Sequence, residues 1–557
     1  MKHLVPGLSL SLLALSLLGL GHPASAQVAP DAGQQLRELQ ERPPQLPPEP
    51  TLELQLPQDD AGEETTDLDG PTVEVHGFIV SGNLSIDGDT LLAQLDDLAG
   101  RDLSLGELEN AAARLTRYYR DQGYPLARAY VPAQTIEDGI VEIAVLEGRY
   151  GEIDIHNASR LQDPALAPLK RLEPGEPVRA AALERALLLV DQRAGASTRA
   201  TLRPGDETGT THLRVGLDPT PLLSGSLEYD NAGNRFTGAD RLTGSLGIDS
   251  PLGLGDRLDL RLLGTREDQL YYQGAYQLPM GRWGTSLGAS YSYMEYELGK
   301  DFTELDAHGT SRTTSLFVNQ PLIVSRALWL NARLQYDHHR LSDKIGLFDT
   351  DNRKRSRVGR FTLDGNARDD LFGGGITSFA LTWSHGELDL RTPEERQWDD
   401  LTARTHGSFN TFSPSVIRLQ RLADRLSLFT RLRAQWADGN LDGSEGLGLG
   451  GPYGVRAYPQ GEAQGDEGVI ANLELRYALT PQWQLSTFLD HGRIRVNHDD
   501  WDDSDNRRNL SAAGLGASWA SQHWRLDVSS AWRVGNADPQ SDDHKAPRLW
   551  VQGAYLF

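Results

Sequence analysis

The stretch Leu328–Tyr336 reads LWLNARLQY. In an extended chain Leu330, Ala332, Leu334 and Tyr336 fall on one side, and Asn331, Arg333 and Gln335 on the other, because strand side chains alternate with a period of two. The same division returns upstream in Asp256–Leu263, where Leu258, Leu260 and Leu262 oppose Asp259 and Arg261. Downstream, Leu432, Ala434 and Trp436 oppose Arg431, Arg433 and Gln435, and Trp524, Leu526 and Val528 oppose Arg525 and Asp527. Strand after strand, the polar side carries full charges. A soluble sandwich also alternates, but aromatic residues at the strand ends suit the two interfaces of a bilayer. From about Pro219 to Phe557 no helical periodicity is left. At about 20 residues per strand and connection, that length makes an even number of strands near sixteen. The expected fold is a transmembrane antiparallel β-barrel over 219–557, with glycine- and acid-rich connections such as Asn497–Asn509 facing outward.

Composition is compatible with this. The chain has 557 residues, a net charge of −24 and no cysteine. The acidity argues against a nucleic-acid partner, and without thiols there is no disulfide, thiolate metal site or thiol catalysis. No internal apolar run is long enough for a helical membrane span, whereas barrel strands escape hydropathy averaging.

Ahead of the strands the chain changes character several times. Lys2 and His3 precede the apolar run Leu4–Leu20, and Ala24-Ser25-Ala26 is a small-residue cleavage site, so 1–26 reads as a secretory signal peptide. Within 27–42, Asp31–Glu41 (DAGQQLRELQE) reads as a short helix capped by Asp31, with Leu36 and Leu39 on one face and Arg37 beside them. A helix this short must dock to be stable. Residues 43–70 form a Pro-rich, then acidic linker; Pro43–Pro57 at about 3.1 Å per residue reaches about 45 Å, enough to thread a bilayer core of about 30 Å.

Two α/β units follow. In 71–147, Val73–Ser81 reads as a strand, Asp89–Leu98 as a helix, and the capping box Ser104–Glu107 opens a longer helix that Gly123 ends. Ala127–Val131 and Ile140–Val145 then read as strands about an Asp138-Gly139 turn. In 148–218 the β-α-α-β-β order repeats: a strand at Tyr150–His156, helices at Asp163–Leu169 and Arg179–Gln192, and strands at Thr198–Arg203 and Thr210–Leu217.

Between two strand-like segments lies Gly446–Gly468, GLGLGGPYGVRAYPQGEAQGDEG. Its glycines allow positive φ and close packing, and Arg456 is flanked by apolar and aromatic residues. Val455-Arg456-Ala457-Tyr458 followed by Gly465-Asp466-Glu467-Gly468 resembles the loop of the outer-membrane two-partner-secretion transporters, the haemolysin secretion/activation (TpsB) family. That pattern is Val-Arg-Gly-Tyr/Phe, then Gly-Asp-x-Gly. This chain departs from it at Ala457. Phe488, Asp490 and Gly492 in TFLDHGRIRV resemble the family's Phe-x-Asp-x-Gly wall motif. The two α/β units resemble periplasmic POTRA domains, with Leu146–Arg149 as their junction. The final strand, ending in Tyr555 and Phe557, resembles an outer-membrane assembly signal.

The resemblance implies sixteen strands, a helix at Asp31–Glu41 seated in the lumen at rest, and no cofactor. Implied partners are outer-membrane lipid, the barrel assembly machinery and a secreted, haemolysin- or adhesin-like exoprotein. That cargo would be taken up unfolded at POTRA sheet edges in the periplasm and passed to the surface. On one face of an extended strand Asp490 lies between Phe488 and Gly492, and glycine leaves room for an approaching side chain. Arg456 is therefore expected to pair with Asp490 inside the barrel. An assembly factor for other barrels shares these features and is the alternative; a diffusion porin needs no arm. The protein is not read as an enzyme. Gly284–Gly288 matches G-x-S-x-G but lies within an alternating strand, and His338-His339 or His498 with Asp499 and Asp500 could bind a metal but read better as solvated loop residues.

Overall fold

A computed structural model describes residues 29–41, 46, 53–55, 65 and 69–557; the signal-peptide reading and most of the linker lie outside them. The alternating segments form sixteen strands: β10 (Leu223–Asp230), β11 (Arg241–Asp249), β12 (Arg257–Thr265), β13 (Leu270–Met280), β14 (Thr285–Glu297), β15 (Ala307–Val324), β16 (Leu328–Ile345), β17 (Thr350–Asp369), β18 (Gly375–Leu390), β19 (Gly407–Ala423), β20 (Leu426–Ala437), β23 (Glu467–Ala478), β24 (Trp483–Arg495), β25 (Arg507–Ala520), β26 (Trp524–Arg533) and β27 (Arg548–Leu556). Each pairs antiparallel with the next, and β27 returns to β10 from Ser226↔Leu556 to Asp230↔Gln552, closing the barrel. Closure leaves no unpaired edge in the hydrocarbon.

The apolar half of each alternation faces out. Leu262, Leu334, Tyr336, Leu432, Trp436 and Trp524 are all exposed. Aromatic residues mark both interfaces: Trp524 against Tyr555 (4.9 Å) at the end nearer the arm, Phe412 against Trp436 (6.1 Å) at the other. From Leu426 to Trp436 the rise is about 34 Å at ~3.4 Å per residue. Tilted about 40°, that covers about 25 Å, the height of an outer-membrane apolar band.

The arm starts with β2 (Thr72–Val75) and β3 (Gly77–Ser81), where a single strand was expected; β2 pairs instead with β4 (Arg101–Ser104). Between β3 and β4, only Gly88–Leu92 (α2) of the expected Asp89–Leu98 is helical, and turns complete the segment. The capping box forms as read: Ser104 and Glu107 exchange hydrogen bonds at the start of α3 (Leu105–Asp121). Strands β5 (Arg128–Tyr130) and β6 (Ile140–Leu146) complete a sheet of order β3-β6-β5.

The second unit is built from β7 (Arg149–Asn157), α4 (Ala180–Asp191), β8 (Ala196–Pro204) and β9 (Thr210–Pro219). It repeats the sheet pattern of the first, β7 parallel and β8 antiparallel to the middle strand β9. The helix expected at Asp163–Leu169 is two 3-10 turns, Asp163–Leu166 and Leu169–Arg171. Pro168 lacks the N–H that an α-helix needs there, and its ring would crowd the carbonyl four residues back, whereas Pro164 lies in the first turn, which tolerates proline. One segment of the linker also pairs: Glu53–Gln55 (β1) lies parallel to β8.

The junction between the units is tied by Glu147, which is almost fully buried. It accepts the backbone N–H groups of Leu84 (2.7 Å) and Ser85 (2.5 Å), the Ser85 hydroxyl (2.9 Å), Arg149 (3.1 Å) and the Tyr119 hydroxyl (3.3 Å). Burial, then the neighbouring Glu147 charge, pushes the Tyr119 phenol up from its usual pKa.

The second unit docks under the barrel. Arg185 donates to the carbonyls of Leu322 (3.0 Å), Pro321 (2.9 Å) and Trp283 (3.3 Å), and Glu184 accepts the Arg326 N–H (3.0 Å). Gly284, the first glycine of the G-x-S-x-G match, occupies a turn with φ +84° where a Cβ would stand 2.4 Å from Leu189. Strand β14 follows it directly, with no helix.

Candidate functional site in the barrel lumen

The connection from β20 to β23 folds back into the lumen, where Leu447–Gly448 (β21) pairs with Gln464–Gly465 (β22) in a small hairpin. Val455, Ala457 and Tyr458 are buried in one apolar cluster with Leu449, Ile470 and Phe488. Ala457 has no positive φ, so the methyl that replaces the family's glycine is accommodated without backbone strain.

Arg456 points to the wall. Its Nε donates to Asp490 Oδ2 (2.9 Å), its Nη2 to Asp490 Oδ1 (2.9 Å), its Nη1 to Glu474 Oε2 (3.0 Å) and its backbone N–H to Asp490 Oδ2 (3.1 Å). The guanidinium also lies 3.3 Å from the ring centroid of Phe488. The Asp490 side chain is fully buried, and Asn472 bridges it (2.8 Å) to the Gly454 carbonyl (2.8 Å). Trp550 of the last strand donates to the Arg456 carbonyl (2.7 Å), and Tyr458 to that of Ala537 (2.8 Å). A Cβ on Gly492 would stand 2.8 Å from Leu449 and 3.1 Å from Val455, so glycine lets these loop side chains pack directly on the wall. A buried cation needs partners, and the forked arginine meets both carboxylates at once.

Asp466 is elsewhere. It accepts the N–H groups of Leu441 (3.2 Å) and His498 (2.8 Å) and closes the base of the loop, taking no part in the Arg456 pair. Gly465 and Gly468 sit against the Arg495 and Arg493 carbonyls, where a Cβ would come within 2.3 Å and 2.6 Å. Glu474, Asn472 and Trp550 are site residues that sequence reading missed. Glu474 reaches Arg456 because the register sets it opposite Phe488 on the adjacent strand.

The helix α1 (Ala32–Gln40) also lies in the lumen, with Asp31 capping it by accepting the Gln34 N–H (2.8 Å). Leu36 and Leu39 are buried among Tyr271, Met294 and Leu341 of the inner wall and Phe236 of the β10–β11 connection. Polar contacts hold both ends: Lys354 Nζ bridges Asp31 (2.8 Å) and Asp442 (2.7 Å), Asp343 accepts the Ala32 N–H (2.7 Å), and Arg261 donates to the Leu39 carbonyl (3.1 Å). Arg37 reaches Gln464 of the loop (3.3 Å), and Gly33 packs against Ser444. Helix and loop thus fill the lumen as one body. Beneath it a cavity of ≈ 480 Å³ is lined by Arg431, Arg476, Arg525 and Asp527 among others.

The other residues singled out in the sequence are not part of this site. Tyr555 and Phe557 lie at the barrel closure, where Phe557 exchanges backbone hydrogen bonds with Gly225 (2.9 and 3.1 Å). His338 and His339 are not the solvated loop residues expected: both lie within strand β16, where alternation turns them to opposite sides, and the second is buried against Thr313 (2.9 Å). His498 meets Glu467 (3.0 Å).

A closed sixteen-stranded barrel with a helix and a loop seated in its lumen, above two α/β units, is the architecture of outer-membrane transporters of polypeptide, with the arm in the periplasm. Within that class the chain belongs to the haemolysin secretion/activation protein family ShlB/FhaC/HecB, whose model matches residues 209–519, while the ShlB-type POTRA domain matches 73–148. It is a two-partner-secretion transporter. The heme/hemopexin transporter protein HuxB of Haemophilus influenzae (strain 86-028NP) is 26% identical, covering 98% of this chain and 97% of that protein. The outer membrane transporter CdiB of Dickeya dadantii (strain 3937) is 24% identical over 80% of this chain and 81% of its own. Among solved structures, CdiB from Escherichia coli superposes with a TM-score of 0.74 at 20% identity, covering 95% and 96% of the two chains.

Proposed function

We propose that this transporter receives its exoprotein unfolded, by strand addition to the sheet edges of the periplasmic arm, and passes it through the lumen once α1 and the 446–468 loop have moved. The observation that carries this is the way both insertions are seated. Apart from the apolar contacts of Leu36, Leu39, Val455 and Tyr458, they are held by ion pairs and hydrogen bonds that polar cargo can replace. Exposed sheet edges offer unpaired N–H and C=O groups to any β-prone chain. The family points to a haemolysin- or adhesin-like cargo, and the name of the HuxB relative makes a heme- or hemopexin-directed exoprotein the first to try. Cargo folding outside would supply the drive. The Tyr555–Phe557 ending would serve recognition by the barrel assembly machinery.

The test is co-expression with a candidate exoprotein of that kind. Deleting Val73–Leu217 abolishes secretion and leaves a folded barrel in the membrane; secretion at the normal level after that deletion overturns the reading. A general assembly role would instead show as loss of other outer-membrane barrels when the gene is removed.

A further inference from the structure

The outer wall of the barrel carries a row of arginines without matching acids. On β16 the side chains of Asp337, His339 and Leu341 are buried, and Leu334, Tyr336, His338 and Arg340 alternate with them toward the outside. The register sets Arg340 directly opposite Arg312 of β15 on one side and Arg355 of β17 on the other. All three arginines are exposed. Arg357, opposite His338, and Arg353, opposite Ser342, flank Arg355 on the same face. Like charges directly opposite one another weaken a sheet, and neighbouring strands are only about 4.8 Å apart. In a chain of net charge −24 such a row does not follow from general basicity.

The acids nearby are engaged elsewhere. Asp351 holds Arg353 (2.5 Å), Glu387 meets Arg357 (3.3 Å), and Asp389, in register with Arg355, is taken by Arg391 (2.7 Å) and Arg396 (2.7 Å). Arg340 donates to His338 Nε2 (3.2 Å), and Arg312 lies 5.6 Å from the ring centroid of Tyr293. Among the described residues no carboxylate forms an ion pair with Arg312, Arg340 or Arg355.

The height of the row says what approaches it. Strand β16 starts beside the arm, where Glu184 meets Arg326, so its later residues lie toward the exterior. Arg340 is four residues beyond Tyr336, where the apolar alternation ends. At ~3.4 Å per residue and a tilt of about 40°, the row stands about 10 Å above the apolar band, at the level of outer-leaflet headgroups. Just below it, Tyr336 and Phe361 are exposed on the same wall. A ligand here comes from the membrane, since the row faces away from the lumen. Lipids of the outer leaflet carry phosphates on a sugar headgroup, and the arginine fork takes phosphate oxygens two at a time.

We propose that the outer face of β15–β17 is a lipopolysaccharide site. Arg312, Arg340 and Arg355 hold a phosphate of the glycolipid headgroup, Arg353 and Arg357 flank it, and Tyr336 and Phe361 lie against its acyl chains. The bound phosphate supplies the counter-charge that the protein lacks there. The site lies halfway round the barrel from the β10–β27 closure, β17 being eight strands from β27.

The test uses delipidated full-length protein in detergent, with barrel folding checked by heat-modifiable mobility. Three probes are titrated by microscale thermophoresis: lipid A with both phosphates, the same glycolipid dephosphorylated, and inorganic phosphate. The unaltered protein binds the phosphorylated glycolipid at least about tenfold tighter than the dephosphorylated one. Arg312→Gln/Arg340→Gln/Arg355→Gln loses that preference. A control with the same charge change on the arm, Arg101→Gln/Arg128→Gln/Arg203→Gln, keeps it. Without lipid the triple barrel variant melts no lower than the unaltered barrel, because it has shed a row of like charges; with the phosphorylated glycolipid only the unaltered and control proteins gain in melting temperature. Equal affinity for the two glycolipids, a comparison that needs no variant, overturns the proposal, as does full preference in the triple barrel variant. Inorganic phosphate binding as tightly as the glycolipid would reduce the row to a simple anion site and overturn the lipid assignment.

Discussion

Arg456 is held by two acids, and the second changes what its mutants should do. Asp490→Ala leaves the guanidinium with Glu474, whereas Arg456→Ala leaves the fully buried Asp490 with no cation, Glu474 keeping only Arg476 (2.9 Å). Breaking a buried pair costs about 3–5 kcal/mol, so both variants should lower secretion at least about tenfold, with Arg456→Ala the more severe. The double mutant should be little worse than Arg456→Ala. Additive losses in that cycle, followed by secretion and by protease sensitivity of the loop, would contradict a shared latch. Ala457→Gly should change secretion less than about twofold, since Ala457 has no positive φ to relieve. Gly492→Val should unseat the loop by collision with Leu449 and Val455. The pairing of Arg456 with Asp490 was legible because a strand's period of two sets Phe488, Asp490 and Gly492 on one face. Glu474 was not, because its place depends on the register between two strands, which neither strand contains alone.

At the scale of elements, the lumenal helix was readable as a helix from Asp31 and its two leucines, but its partners come from strands and loops far apart in the sequence. Removing Asp31–Glu41 should raise single-channel conductance in planar bilayers while secretion continues; unchanged conductance would mean that the helix does not limit the pore. Lys354→Met, which leaves Asp31 and Asp442 without their shared cation, should give a milder rise. In the first arm unit, Glu147→Ala leaves the Leu84 and Ser85 N–H groups without their acceptor, at about 1–3 kcal/mol each. That unit should then be cut faster by protease in the full-length protein, with the barrel unaffected. The linker strand β1 is hard to read from sequence because prolines dominate that segment, although its alternating leucines are there to see. The second unit's first helix gives way to 3-10 turns because Pro168 falls in the interior of the segment.

For the whole molecule, length set an even strand number near sixteen, because a barrel repeats a nearly constant unit of strand and turn, and the family resemblance pointed to sixteen itself. The docking of arm to barrel did not, since it runs through carbonyls that any sequence possesses: Arg185 reads three of them. The closing contact of Phe557 with Gly225 joins the two ends of the barrel. Deleting Phe557 should therefore reduce the amount of folded, heat-modifiable barrel rather than the activity of what does fold; full-level folded protein would contradict this. The direction of α1 has one more consequence. Its first residue meets Asp343, near the end of β16 remote from the arm, while its last turn meets Arg261 farther down the wall. The chain thus enters the helix from the cell's exterior side and leaves it toward the periplasm. An epitope placed just ahead of Ala29 should be within reach of antibody on intact cells, and should vanish from the surface whenever the helix withdraws, giving a live optical readout of pore occupancy.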